Sequence, residues 1–192
     1  METTFSVGSP YPLTANEFSY RTGSPQPTCL ELNTMIKTNA MRLLEQAGIS
    51  YEVRKYEIDE SDLSAERVAE ILGHEQERIF KTLILRGDRS GPMIALAPAG
   101  TEIDLRALAL ASGDKRVEMV PVRDVRDLTG YERGAVTPLG VSHKYPVFID
   151  ETVELWAIVG ISAGMKGLEI LLTPSDLLRA TKAKKEDFAR SM

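Results

Sequence analysis

Two long apolar segments a few residues apart, IFKTLILR at 79–86 and PMIALAP at 92–98, constrain this chain more than any other feature. Both are built from residues that favour extended backbone, and GDRSG at 87–91 joins them in the manner of a hairpin turn. The chain is therefore committed to a sheet with this pair inside it. Alternation along the first segment places Lys81 on the same face as Leu83 and Leu85. An ammonium on the apolar face of a central strand has two explanations. It can reach out to water at the strand's end, or it can be fixed at a pocket wall to hold an anionic or polar ligand. Periodicity does not choose between them.

Around this pair, helical and extended patterns alternate. TNAMRLLEQAG sets Ala40, Leu43, Leu44 and Ala47 on one helical face and stops at Gly48. SYEVRKYEI alternates as a strand, and Ser64 caps a helix carrying Val68, Ile71 and Leu72 that Gly73 closes. Thr101 and Asp104 have the spacing of a capping box before a helix with Leu105, Leu108 and Ala109 inward. VEMV, YPVFI, LWAIVG and EILL read as further strands, and Thr173-Pro174-Ser175-Asp176 opens a last helix with cap, proline and acidic residue in order. The interspersed pattern lacks a strict βαβ repeat, so the expected fold is α/β with a mixed, curved sheet and surrounding helices. Residues 1–33, rich in Ser, Thr, Pro and Gly without a period, read as an irregular extension before one domain at 34–192.

Several classes of function are excluded early. Two histidines, His74 and His143, and the single cysteine, Cys29, are too scattered for a zinc site, so no metal or other cofactor is expected. A lone cysteine also rules out an internal disulfide framework and suits a reducing cytoplasm. The N-terminus has no secretory pattern, and no apolar run is long enough for a membrane helix. With a net charge of -5, any nucleic-acid contact must be local or shared with a partner.

Two glycine-rich stretches remain. GYERGAVTPLG at 130–140 has Pro138 four residues after Gly134, and GISAGMKGLEI at 160–170 lies between two strand patterns. Glycine in such loops marks either a tight turn or a close approach of backbone to ligand. The second stretch is not a P-loop: Gly160 and Gly164 are too close, Lys166 comes one residue late, and a strand follows.

KTLIL at 81–85, the Gly134-x-x-x-Pro138 loop and ISAGMKGLEI at 161–170 occur in an order and spacing that resembles the YbaK family. These are aminoacyl-tRNA editing domains related to the insertion domain of bacterial prolyl-tRNA synthetases, and the likeness runs along roughly 35–188. The resemblance implies that fold and a trans-editing deacylase, with cysteinyl-tRNA(Pro) as substrate in the Cys-specific branch. It carries Lys81 onto the family's strand lysine, facing the terminal adenosine, with Thr82 beside it. Gly134, Thr137 and Pro138 fall on the loop whose backbone lies against the aminoacyl carbonyl. Ser162, Ala163, Gly164 and the basic Lys166 fall on the serine-glycine loop, Tyr56 on the family's tyrosine, and Glu169 on its acidic position. The implied catalytic set is Lys81, Gly134, Ser162 and Gly164. Where the family usually has Ser-Gly-Gly-Lys-Arg-Gly, this chain has Ser-Ala-Gly-Met-Lys-Gly, and Glu169 replaces the commoner Asp.

An aminoacyl ester is already activated, so such an enzyme need not supply a strong nucleophile. A cysteine substrate's own thiol can attack the ester carbonyl while the protein positions it and stabilises the oxyanion through backbone N–H groups of the Gly134 or Gly164 loops. Two other readings stay open: a deacylase of alanyl-, seryl- or threonyl-tRNA using an enzyme-held water, and a non-catalytic module binding tRNA ends or a synthetase. The expected partner is the CCA end of an aminoacylated tRNA, with prolyl-tRNA synthetase or an elongation factor as a further candidate and no membrane. Lys182, Lys184, Lys185 and Arg190 are either a tRNA-facing patch or a solvated helix face.

Overall fold

The computed structural model describes residues 37–191. The extension at 1–33, and Cys29 with it, lies outside the described residues. The elements are α1 (Asn39–Gln46), β1 (Glu52–Lys55), α2 (Ala65–Leu72), β2 (Phe80–Gly87), β3 (Gly91–Pro98), β4 (Thr101–Ile103), α3 (Leu105–Ser112), β5 (Val117–Met119) and α4 (Val122–Thr129). After these come β6 (Val147–Asp150), β7 (Val159–Ser162), β8 (Leu168–Leu172), α5 (Pro174–Thr181), β9 (Lys184–Glu186) and β10 (Ala189–Ser191). No helix among the described residues is long and apolar enough to cross a membrane.

The hairpin read from the sequence is the middle of the main sheet. β2 and β3 pair antiparallel along their whole length, from Phe80 opposite Pro98 to Gly87 opposite Gly91. β5 adds antiparallel to β2, while β6 and β9 add in parallel beyond β3, giving the order β5-β2-β3-β6-β9. A second sheet, β1-β8-β7, is antiparallel throughout. The two sheets meet where Ile79, just before β2, bridges in parallel to Gly160 in β7. β4 and β10 form a separate antiparallel ribbon. The sheet is thus mixed, as expected.

Burial follows the alternation. Leu85, Met93, Ala95 and Ala97 turn one face of β2 and β3 toward Leu108 and Ala109 of α3, with Phe148 and Phe188 completing the cluster. Two buried carboxylates fasten this core to its surroundings. Asp150 accepts from Thr152 at one oxygen and from the N–H groups of Phe188 and Ala189 at the other. Asp114 accepts from the Arg89 and Ser90 N–H groups and the Ser90 and Ser112 hydroxyls, tying the β2–β3 turn to the end of α3. Burial would raise the Asp114 carboxyl, but those four donors hold it well below the usual range.

The structure corrects several local expectations. In α1 it is Met41 that is buried with Ala40 and Leu44, whereas Leu43 is 42% exposed. Ala47, the C-cap residue, is exposed as well, so the buried face runs through Met41, whose flexible apolar side chain fills the core in place of Leu43. The cap of α3 is Asp104, whose carboxylate accepts from the Arg106 and Ala107 N–H groups. Thr101 is no cap; it lies in β4 opposite Ser191. Glu151–Leu155 is a 3₁₀ turn, so the strand begins only at Val159. Lys184 and Lys185 sit on β9, not on a helix, since α5 is capped at Lys182 in a left-handed conformation.

Replacing Asp114 with Asn should destabilise the protein by about 1–3 kcal/mol, because donors now matched to a carboxylate lose an acceptor. Urea unfolding checks this; an unaltered midpoint would contradict the role given to Asp114.

Candidate active site

A cleft of about 320 Å³ opens between α2, the exposed side of β2, α4 and the Gly134 loop. That volume suits a small polar ligand group on a largely apolar lining. Of the residues singled out in the sequence, Tyr56, Lys81, Thr82, Gly134, Ser162 and Glu169 line it. The elements explain why. β2 delivers Lys81 and Thr82 to opposite faces of one strand. β7 and β8 place Ser162 directly opposite Glu169 in the ladder. Tyr56 follows β1 and is anchored by its N–H to the Gly167 carbonyl at 3.0 Å.

Lys81 neither escapes to bulk water nor stands free. Its ammonium donates to the Thr101 carbonyl at 2.6 Å and to Glu66 Oε1 at 3.3 Å, and the side chain is 23% exposed. Two of its three donors are thereby engaged and one remains.

Polar atoms without partners also belong to the lining. Among the described residues Thr82 Oγ1, Thr137 Oγ1 and Glu169 Oε1 are buried and unpartnered, and Thr82 and Glu169 belong to the cleft lining. An unpaired buried polar group is costly, so two in one cleft lining point to a ligand that completes them. Glu169 is 3% exposed. Burial pushes its carboxyl up to about 8, so at neutral pH it is mostly an uncharged acid able to donate a hydrogen bond. Room for it depends on Gly160: a Cβ there would lie 3.1 Å from Glu169 Oε1 and 2.5 Å from the Ile79 side chain.

The two glycine loops differ in what they offer. In the second, the Ala163 N–H is engaged by the Leu168 carbonyl and the Gly164 N–H by Ser162 Oγ at 3.3 Å. In the first, Ala135 N–H bonds to Glu132, while the N–H groups of Gly134 and Val136 have no partner among the described residues. Gly134 has φ +82, and a side chain there would come 3.2 Å from Leu63 across the cleft. The positive φ favours glycine here, and any side chain would in addition push Leu63 aside by a few tenths of an ångström.

The remaining expected residues lie elsewhere. Thr137 and Ala163 are buried behind the loops, and Pro138 borders a separate depression with Leu43 and Ala180. Gly164 packs against Tyr131, and Lys166 pairs with Glu60 at 2.9 Å. Sequence reading missed Leu63, Glu66, Val125 and Arg133, which also line the cleft. It missed Tyr131 too, whose hydroxyl donates to the Leu139 carbonyl at 2.8 Å while its ring lies over Gly164, joining the two loops. Tyr131 was visible beside Gly130, but nothing in a single sequence separates such a latch from an ordinary core aromatic.

A carboxyl whose pKa rises on folding keeps a proton that the unfolded chain has released. Stability should therefore fall as pH climbs from about 4.5 toward about 8, then level off. Glu169→Gln removes that contribution, so its denaturation midpoint should fall less across this window than the wild type's. Equal slopes would show that Glu169 is ionised in the folded protein.

The sequence matches the aminoacyl-tRNA editing domain family over residues 60–180. It is 42% identical over 151 residues to a protein of Enterococcus faecalis provisionally named the Cys-tRNA(Pro)/Cys-tRNA(Cys) deacylase EbsC, covering 79% of this chain and 92% of that one. It is 27% identical to the multifunctional Ser/Thr-tRNA deacylase ProXp-y of Escherichia coli, covering 78% of this chain and 90% of the relative. Among solved structures, one described provisionally as a trans-editing enzyme for prolyl-tRNA synthetase superposes with a TM-score of 0.70 at 25% identity, covering 82% of this chain and all of that one. With the family match spanning most of the chain and a close relative matched almost end to end, this protein belongs to the aminoacyl-tRNA editing domain family.

Proposed function

We propose that residues 34–192 form a free-standing editing deacylase that clears mischarged tRNA in the cytoplasm, with Cys-tRNA(Pro) as its main substrate. The observation that carries this reading is the cleft's composition. It offers a fixed ammonium at Lys81, two unpartnered polar oxygens and a loop with unengaged N–H groups, while no histidine or cysteine lines it among the described residues. Such a site positions and stabilises; it does not supply a nucleophile with its base. The 42% identical relative's name supports cysteine as the amino acid.

In this reaction the substrate's thiol gives up its proton and its sulfur bonds to the ester carbonyl carbon. The carbonyl oxygen becomes an oxyanion. The carbon–oxygen bond to the terminal ribose then breaks, the ribose oxygen takes a proton, and a cyclic thiolactone leaves. The Gly134 and Val136 N–H groups are the suited oxyanion donors, since those of Ala163 and Gly164 are engaged within their own loop. Lys81 holds the tRNA end, and the uncharged Glu169 faces the aminoacyl group with Ser162, Thr82 and Tyr56 around it.

The tRNA body is held by prolyl-tRNA synthetase or an elongation factor. Pairing of the C-terminal cations supports this: Lys185 meets Glu154 at 2.5 Å, and Arg190 meets Asp104 and Asp187. A second reading, water-driven deacylation of seryl- or threonyl-tRNA, draws on the likeness to the Escherichia coli enzyme.

The purified protein should discharge Cys-tRNA(Pro) and spare Pro-tRNA(Pro). Lys81→Ala should fold and slow single-turnover discharge by about 10- to 100-fold, the worth of one charge-assisted hydrogen bond. A folded, fully active Lys81→Ala would remove the lysine from the site. Discharge of Ser- or Thr-tRNA alone would favour the water-driven reading, and no discharge of any would leave a binding module.

A further inference from the structure

Glu66 lies in the first turn of α2, where a carboxylate is favoured by the helix N-terminus. It is 27% exposed and lines the same cleft as Lys81. One oxygen, Oε1, accepts from the Gly100 N–H at 2.6 Å and from Lys81 Nζ at 3.3 Å. The ammonium in turn donates to the carbonyl of Thr101, the residue after Gly100. A closed circuit results: the β3–β4 turn holds Glu66 by one backbone group and Lys81 by the next. Burial would raise the Glu66 carboxyl, but the Gly100 N–H and the ammonium outweigh it and hold it below the usual range. A carboxylate so engaged is a poor proton acceptor for a water, so a general-base role does not fit.

We propose that Glu66 is a positioning residue for the deacylation: it acts on the substrate only through Lys81, aiming the ammonium's remaining donor at the tRNA end. Without it the four-carbon stem of Lys81 regains rotamer freedom that substrate must then restrict. The clamp pairs the ammonium with a carboxylate, so Lys81 works as an oriented donor more than as a free charge. This inference rests on the deacylase reading.

The test is a double-mutant cycle on single-turnover discharge of Cys-tRNA(Pro), using Glu66→Ala, Lys81→Ala and the pair, with folding checked by thermal melting. Glu66→Ala alone should slow discharge by about tenfold, yet in the Lys81→Ala background it should add nothing. Glu66→Gln, which keeps an acceptor oxygen for Gly100, should recover part of the loss and covers the case in which the alanine variant is poorly folded. Losses that multiply, or an unaffected Glu66→Ala, overturn the proposal. The same cycle is read in affinity for a non-hydrolysable 3′-amide analogue of cysteinyl-adenosine. If the wild type discharges no tRNA but the analogue cycle shows the same coupling, the deacylase reading fails and the clamp stands. If the analogue does not bind either, both fail.

Discussion

A lysine that leaves the apolar face of a buried strand must find acceptors for its ammonium, and that requirement organises this site. The acceptors of Lys81 come from two directions, α2 through the Glu66 carboxylate and β4 through the Thr101 carbonyl, while the Gly100 N–H of the β3–β4 turn donates to Glu66 and fixes it. β4 is itself held by β10, whose entry is pinned by the two N–H groups that Asp150 accepts. The last strand of the chain thus supports a side chain near its middle. Ion pairing alone, between two partly exposed groups, is a weak stabiliser; the value of the clamp lies in orientation.

The unpartnered polar atoms of the lining follow a different logic. Here the fold tolerates buried polar atoms without partners and a carboxyl that burial keeps protonated. Both are unfavourable in an empty cleft and become favourable when a polar group arrives. The cleft therefore presents a donor held ready by the protein. It also presents hydrogen-bonding capacity that only a ligand completes. The Gly134 loop adds backbone to the lining, at a φ that a side chain could not adopt without strain.

Much of this was legible in the sequence because it rests on local rules. The β2–β3 hairpin, the Ser64 and Thr173 caps and the glycine stop at Gly73 are each fixed by a few neighbouring residues. Lys81 stood out because it breaks the apolar alternation of its strand. What stayed hidden depends on partners distant in sequence. Glu66 looks like any acidic residue in a first helical turn until Lys81 and Gly100 are placed beside it. Short strands such as β4, β9 and β10 carry too few residues to show alternation, so the KAKKEDFAR stretch read as a charged helix face. The motif match singled out Thr137, Pro138 and Gly164 but could not say which atoms face the cleft, and none of the three lines it.

In the proposed reaction the protein positions an activated ester and the substrate's own thiol does the attacking. The most direct test compares single-turnover discharge of cysteinyl- and seryl-tRNA built on one and the same tRNA(Pro). The two differ in the attacking atom and little in shape, and a hydroxyl without a base is a much poorer nucleophile than a thiol with a pKa of about 8.5. Comparable binding with seryl-tRNA discharged at least about tenfold more slowly is the predicted result. Equal rates on the two would contradict it and place the nucleophile in an enzyme-held water.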